Sequence, residues 1–261
     1  MSDDRKSCCA AWYESDLARS LLGEAFHPGG LELTARLADR LELGPSRRLL
    51  DVAAGRGASA LFLAERSGCE VLGLDYGAGN VAAANAAAAQ RGLSERVRFQ
   101  LADAEQLPIA DASVDAVLCE CAFCTFPEKA AAAAEFARVL RPGGGVGLSD
   151  VTRAAAPATA DWDSLPAWAA CLGGAMAASG YVDALTAAGF EVECVETHDE
   201  ALRAMARAIR GRLFAAELLI GLKKLQLEGA DLAAARVLAQ RAEAAVERGD
   251  FGYVLLWARK R

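Results

Sequence analysis

LLDVAAGRGASA, from Leu49 to Ala60, sets an apolar run, an acid and two glycines directly before a helix-forming sequence. Leu49, Leu50 and Val52 read as the end of a strand buried on both faces, as in a parallel sheet. Gly55 and Gly57 read as the turn into a helix carrying Leu61, Phe62 and Leu63. Glycine is needed where backbone must come close to a ligand. Counted from Gly55, the third position of a G-x-G-x-x-G/A fingerprint is Ala60, an accepted variant, so the glycines alone leave the cofactor open.

Downstream, CEVLGLDYG (Cys69 to Gly77) predicts a second buried strand ending at Asp75, about 20 residues past the loop, where an acid can take ribose hydroxyls. VRFQLADAEQLP predicts a third strand with Asp103 at its end, VDAVLCECAFC a fourth and GVGLSDV a fifth. This succession resembles the class I S-adenosylmethionine-dependent methyltransferases over residues 45–150, on DVAAGRG, Asp75, the Asp103-Ala104 pair and LRPGGGVGLSD. The resemblance implies an α/β, Rossmann-like fold: a seven-stranded, mostly parallel sheet with helices on both faces. It implies S-adenosyl-L-methionine as cofactor, with Gly55 and Gly57 facing the methionine part, Asp75 the ribose and Asp103 the adenine amino group. Asp51, Tyr76, Ala104, Cys119 and Tyr13 complete the expected cofactor-binding set.

Composition narrows the partners. Lys and Arg number 28 against 35 Asp and Glu, a formal net charge of −7, which disfavours a nucleic-acid surface because such surfaces neutralise phosphates. No window holds 18 apolar residues free of charge, so a membrane span is not expected, and the reading is of a cytoplasmic protein with a small-molecule or metalloid substrate.

Residues 1–44 read as an N-terminal helical arm. Residues 1–11 are expected to be mobile unless docked on a ligand. A helix then runs over WYESDLARSLLGEAF, broken by His27-Pro28-Gly29-Gly30, and a second over LELTARLADRLEL. His27 beside Pro-Gly-Gly reads as a turn or capping residue rather than a base. The core is expected at 45–198 plus 250–261, with a sixth strand from Phe190 to Glu196 and FGYVLLWARK closing the sheet. Residues 153–180, with Trp162, Trp168 and Cys171, read as a substrate-side insertion. Residues 199–249 read as two helices forming a lid or an interface.

There are eight cysteines. Cys69 and Cys194 lie inside expected strands and read as core fillers. In CECAFC, strand alternation predicts Cys119 and Cys121 on one side and Glu120 on the other, with Cys124 just past the strand end. Thiolates are soft ligands, matched to soft metals and metalloids. A second, closer resemblance is to the arsenite methyltransferases, carried by the segment Cys121 to Lys129, by CLGGA (Cys171 to Ala175) and by Ser149-Asp150-Val151. It implies that Cys121 and Cys171 hold trivalent arsenic as thiolates, with a further thiol from Cys8, Cys9, Cys119 or Cys124, and that a thiol reductant takes part. The sulfur-bound metalloid keeps a lone pair, so no base is required, and orientation does much of the work. Glu14, Asp16, Glu120 and Asp150 are available carboxylates, of which Glu14 and Asp16 read as merely solvated. Alternatives stay open: a soft element other than arsenic, a small organic acceptor in a pocket walled by Trp162 and Trp168, and a silent metalloid-binding protein.

Overall fold

The computed structural model describes residues 2–23, 25–154, 162, 164, 166–167, 170–221 and 232–261. The run from Leu49 forms β1 (Arg48–Val52), paired in parallel with β2 (Glu70–Asp75) and with β4 (Val114–Glu120). β3 (Val97–Leu101) pairs with β2, and β5 (Leu140–Arg153) with β4. β7 (Phe251–Lys260) runs antiparallel to both β5 and β6 (Phe190–Thr197). The order is β3-β2-β1-β4-β5-β7-β6, the seven-stranded, mostly parallel sheet that was expected. β4 is buried along nearly its whole length, which explains its near-continuous apolar sequence; β6, at the sheet edge, has alternate residues exposed.

The N-terminal arm differs from its sequence reading. The chain is helical from Ser2, as α1 (Ser2–Glu14), and docked on the protein rather than loose. The single helix expected from Trp12 to Phe26 is split: Ser15 accepts from the Ala18 N–H and caps α2 (Asp16–Leu22). α3 (Gly30–Ala38) stops before Leu43, and Glu42 takes a positive φ in the turn that follows. Leu37 of α3 is fully buried, and its carbonyl accepts from the Trp257 indole at 2.7 Å, fixing α3 on β5 and β7.

α4 (Ala58–Ser67), α5 (Ala78–Gln90) and α6 (Lys129–Val139) are the crossovers after β1, β2 and β4. α7 (Ala178–Ala187) precedes β6. The expected pair of helices appears as α8 (Asp199–Gly221) and α9 (Leu232–Glu247), tied together by Arg207–Glu247 and Arg210–Glu243 ion pairs, both 3.2 Å. Residues 222–227, read as part of the first of these helices, and Trp168 lie outside the described residues. α8 reaches α2, where Arg212 donates to the Leu21 carbonyl at 2.6 Å. Among the described residues no helix is long and apolar enough to cross a membrane.

Candidate active site

A cavity opens at the carboxyl ends of β1, β2 and β4, where doubly wound sheets keep their ligands. Val52 to Arg56, Leu74 to Tyr76, Ala102 to Ala104 and Glu120 to Ala122 form its floor and walls. Gly55 lies in the wall with φ +54, and its N–H donates to Asp75 Oδ2 at 2.8 Å. Asp75 Oδ1 accepts from the Gly77 N–H at 2.8 Å and from the Asn80 amide at 3.2 Å. One carboxylate thus stitches the glycine loop to the start of α5; burial pushes its pKa up while these donors pull it down, with a net rise.

Gly57 has a different role from the one expected. It does not line the cavity; with φ +83 it starts α4, and a Cβ there would stand 2.5 Å from the Phe99 ring. Cys119 is wholly buried in β4, one residue before the lining residue Glu120, and is not itself part of the lining. Asp51, Asp75, Tyr76, Asp103, Ala104 and Tyr13 all line it. Asp51 Oδ2 and Asn80 Oδ1 are buried without a hydrogen-bond partner, and both residues belong to the lining. Buried acceptors left unpaired are costly, so a ligand bearing hydroxyl and ammonium donors fits this wall, as S-adenosylmethionine would.

α1 forms the roof. Lys6, Cys9, Ala10 and Tyr13 face the cavity. Lys6 donates to Asp103 Oδ2 at 2.7 Å and also pairs with Glu105. Glu14, expected to be solvated, accepts from the Gly79 N–H at 2.7 Å, on the first turn of α5, where helical N–H groups favour an anion.

At the far end stand the thiols. β4 ends at Glu120, and Cys121 turns into the left-handed region (φ +51), its N–H donating to the Ser149 carbonyl at 2.7 Å. Cys171 also has a positive φ (+62). Among the described residues six non-glycine residues have positive φ; Phe26, Ala53, Cys121 and Cys171 are all at this site, and each such backbone costs roughly 1–3 kcal/mol. Cys121 lines the cavity, and Cys171 lies behind it with its Sγ 3.8 Å from Cys121 Sγ and 3.3 Å from the Tyr13 hydroxyl. Hydrogen bonds from Cys121, Cys124 and Tyr13 hold the Cys171 thiol well below its ordinary pKa despite burial. Cys121 is pushed up, first by that same hydrogen bond, and Cys124 by burial.

Cys9 lines the cavity, and burial, with the nearby Cys171 and Cys8, pushes its pKa up to about 12. Cys8 is half-buried on α1, outside the lining. Among the described residues no group of three or more His, Cys, Asp or Glu side chains is set to hold a metal ion. The five-cysteine set therefore resolves into a close pair, Cys121 and Cys171, with Cys124 and Cys9 beside it. Cys69 is a core filler, but Cys194 is only half-buried, 3.9 Å from Glu196. Asp150 is wholly buried, its carboxylate accepting from the Cys124 and Val151 N–H groups; burial and the Cys171 charge push it up to about 7. Trp162 is buried and packed edge-on against Phe251, and among the described residues it does not belong to the lining of this cavity.

Sequence reasoning missed His27. It is buried, lines the cavity, and its Nδ1 lies 3.2 Å from the Pro28 carbonyl oxygen. Nε2 lies 3.3 Å from the Thr34 hydroxyl and 3.6 Å from Glu120, whose side chain is 5% exposed. Only the folded chain brings these together; the Pro-Gly-Gly context carried no sign of it.

Comparison with known proteins agrees with this geometry. The methyltransferase domain family matches residues 50–147. The 27-O-demethylrifamycin SV methyltransferase of Amycolatopsis mediterranei is 32% identical over 94% of this chain and 93% of its own length. The arsenite methyltransferase of Halobacterium salinarum is 32% identical over 60% of this chain and 41% of its own. Among solved structures, the [4+2]-cyclase SpnF superposes with a TM-score of 0.80 at 28% identity, over 96% of this chain and 93% of that one.

Proposed function

Given that this chain belongs to the class I S-adenosylmethionine-dependent methyltransferases, we propose that it methylates a soft, thiophilic acceptor held on Cys121 and Cys171, trivalent arsenic foremost. When bound, S-adenosylmethionine supplies an electrophilic methyl group on a sulfonium. Asp75 would hold its ribose, Asp103 and Tyr76 its adenine, and Gly55 the close backbone approach to its methionine part. The observation that carries the reading is the thiol pair: two sulfurs 3.8 Å apart at the cavity end, on two backbones in an unfavourable conformation.

Each thiol loads by exchange. At each sulfur As–OH and Cys–SH become As–S–Cys and water, and Cys121, which lines the cavity, is the thiol an entering acceptor meets first. A sulfur-bound arsenic would keep a lone pair, and its attack on the methyl would need no proton removed. What this chain contributes is position, desolvation by the α1 roof, and two sulfur donors. A thiol reductant restores any oxidised product or enzyme thiol.

Product speciation tests this. Purified protein, S-adenosylmethionine, arsenite and a reducing thiol should give methylated arsenic, and Cys121→Ser and Cys171→Ser should each abolish it while leaving cofactor affinity unchanged. Absence of methylated arsenic from protein that binds the cofactor refutes the reading.

A second reading has its own support. The full-length likeness to a rifamycin O-methyltransferase, and His27 with Glu120 at the cavity wall, suit a hydroxyl acceptor that must lose a proton. It expects turnover of an organic alcohol to survive both cysteine substitutions and to fall in His27→Asn.

A further inference from the structure

The nucleobase end of the cavity is occupied by the protein itself. Asp103 Oδ1 accepts from the Glu105 N–H at 2.9 Å, which leaves Oδ2 as the oxygen free to face a ligand. That oxygen receives the Lys6 ammonium at 2.7 Å. Lys6 has a second partner, Glu105 Oε2, and Glu105 is the firmer of the two. The Glu105 side chain is 10% exposed against 33% for Asp103, and its Oε1 accepts from the Glu128 N–H at 2.7 Å, so it is fixed from both ends.

We propose that Lys6 is an internal competitor for the nucleobase subsite, one that yields Asp103 to the cofactor and keeps Glu105. The inference rests on the assignment of Asp103 to the adenine amino group. An ammonium and an exocyclic amine are both donors; the Lys6 ammonium neutralises Asp103 and fills one of the two acceptor positions on Oδ2, so an amine arriving there meets a weaker acceptor than the free carboxylate would offer. A lysine carries its charge on a flexible stem, so moving off Asp103 onto Glu105 alone needs no displacement of α1. The residual ion pair then holds α1 down over the bound cofactor, with Cys9, Ala10 and Tyr13 on the same helix covering the rest of the cavity. Lys6 thus does two opposed things: it slows entry and it slows escape.

The test is cofactor binding by calorimetry and stopped flow, on wild type, Lys6→Met and Glu105→Gln. Lys6→Met removes the competitor and the retaining pair together, so both association and dissociation quicken; Asp103 freed of an ion pair should raise affinity about three- to ten-fold. Glu105→Gln removes the alternative partner, leaves Lys6 on Asp103, and should weaken binding by a similar factor. Opposite signs for two substitutions that break the same ion-pair cluster are not what simple damage to α1 produces. Raising salt should quicken association to wild type, by screening the competing pair, and do less in Lys6→Met. Unchanged or weaker binding in Lys6→Met, while Asp103→Asn still loses affinity, overturns the competitor role and leaves the Asp103 assignment standing. Asp103→Asn binding as well as wild type overturns both.

Discussion

Gly57 and Gly55 sit two residues apart in one motif, yet the structure gives them different work, and substituting alanine at each separates the two. At Gly57 the added Cβ would meet Phe99 Cζ at 2.5 Å, Phe99 Cε1 at 2.9 Å and Ala84 Cβ at 3.2 Å, on a backbone with φ +83. The left-handed conformation costs a non-glycine residue about 1–2 kcal/mol. Forcing a methyl into a packed core adds about 1–3 kcal/mol. Gly57→Ala should therefore lose about 2–5 kcal/mol, and at a few degrees per kcal/mol the Tm falls by roughly 5–15 °C. Phe99→Leu removes the clashing ring atoms, so the double variant should be about 1–2 kcal/mol more stable than the sum of the single losses. At Gly55 the Cβ would touch only Phe26, at an ordinary 3.5 Å, but inside the cavity wall. There the stability loss is smaller and the loss of cofactor affinity larger. Thermal melts and denaturant titrations measure the first quantity, calorimetric titration with S-adenosylmethionine the second. Additive losses in Gly57→Ala/Phe99→Leu, or a Gly57→Ala protein within about 1 kcal/mol of wild type, would show that the packing argument is wrong.

Two further outcomes follow from buried groups. Asp150 is raised from its unfolded value to about 7, so the folded state prefers the neutral carboxyl: its contribution is fully present below about pH 4, is lost as pH rises toward 7, and is flat above. The loss amounts to something on the order of 4 kcal/mol, so denaturant titrations of Asp150→Asn at pH 5 and pH 8 should show a visibly flatter pH dependence than wild type; an unchanged slope refutes the assignment. Trp257→Phe strands the buried Leu37 carbonyl and should cost about 1–3 kcal/mol in the same assay without altering cofactor affinity, since α3 and β7 meet away from the cavity lining.

The sheet was legible because parallel strands covered on both faces must be apolar throughout. β1, β2 and β4 therefore stand out as short hydrophobic runs, each with an acid at its last residue or the one before it (Asp51, Asp75, Glu120), which marks a ligand-facing end. α1 was not legible. Its residues are polar, and what holds it are contacts over long sequence separations: Lys6 to Asp103, Glu14 to Gly79, Tyr13 to Cys171. No local pattern announces a helix whose partners lie 65 to 158 residues away. Trp162 was not legible for the reverse reason, since an aromatic in an alanine-rich stretch says nothing of its packing against Phe251.

The cysteines show where period-two reasoning stops. Alternation put Cys119 and Cys121 on one side, which holds only while the strand continues. The strand ends at Glu120, and at Cys121 a single left-handed residue, its N–H tied to Ser149, redirects the side chain. One thiol is then sealed in the core and the other faces the cavity. Cys171 arrives from a separate loop with the same unfavourable backbone. Two such residues cost roughly 2–6 kcal/mol between them. Replacing either by glycine would relieve that cost but remove a sulfur, whereas serine keeps the strain and removes only the soft donor. Serine is therefore the substitution that asks about chemistry. A Cys121→Gly protein more stable than wild type, yet unable to methylate arsenic, would place the two strained backbones in the service of the thiol pair; Cys121→Gly no more stable than Cys121→Ser would mean the conformation is not strained at all.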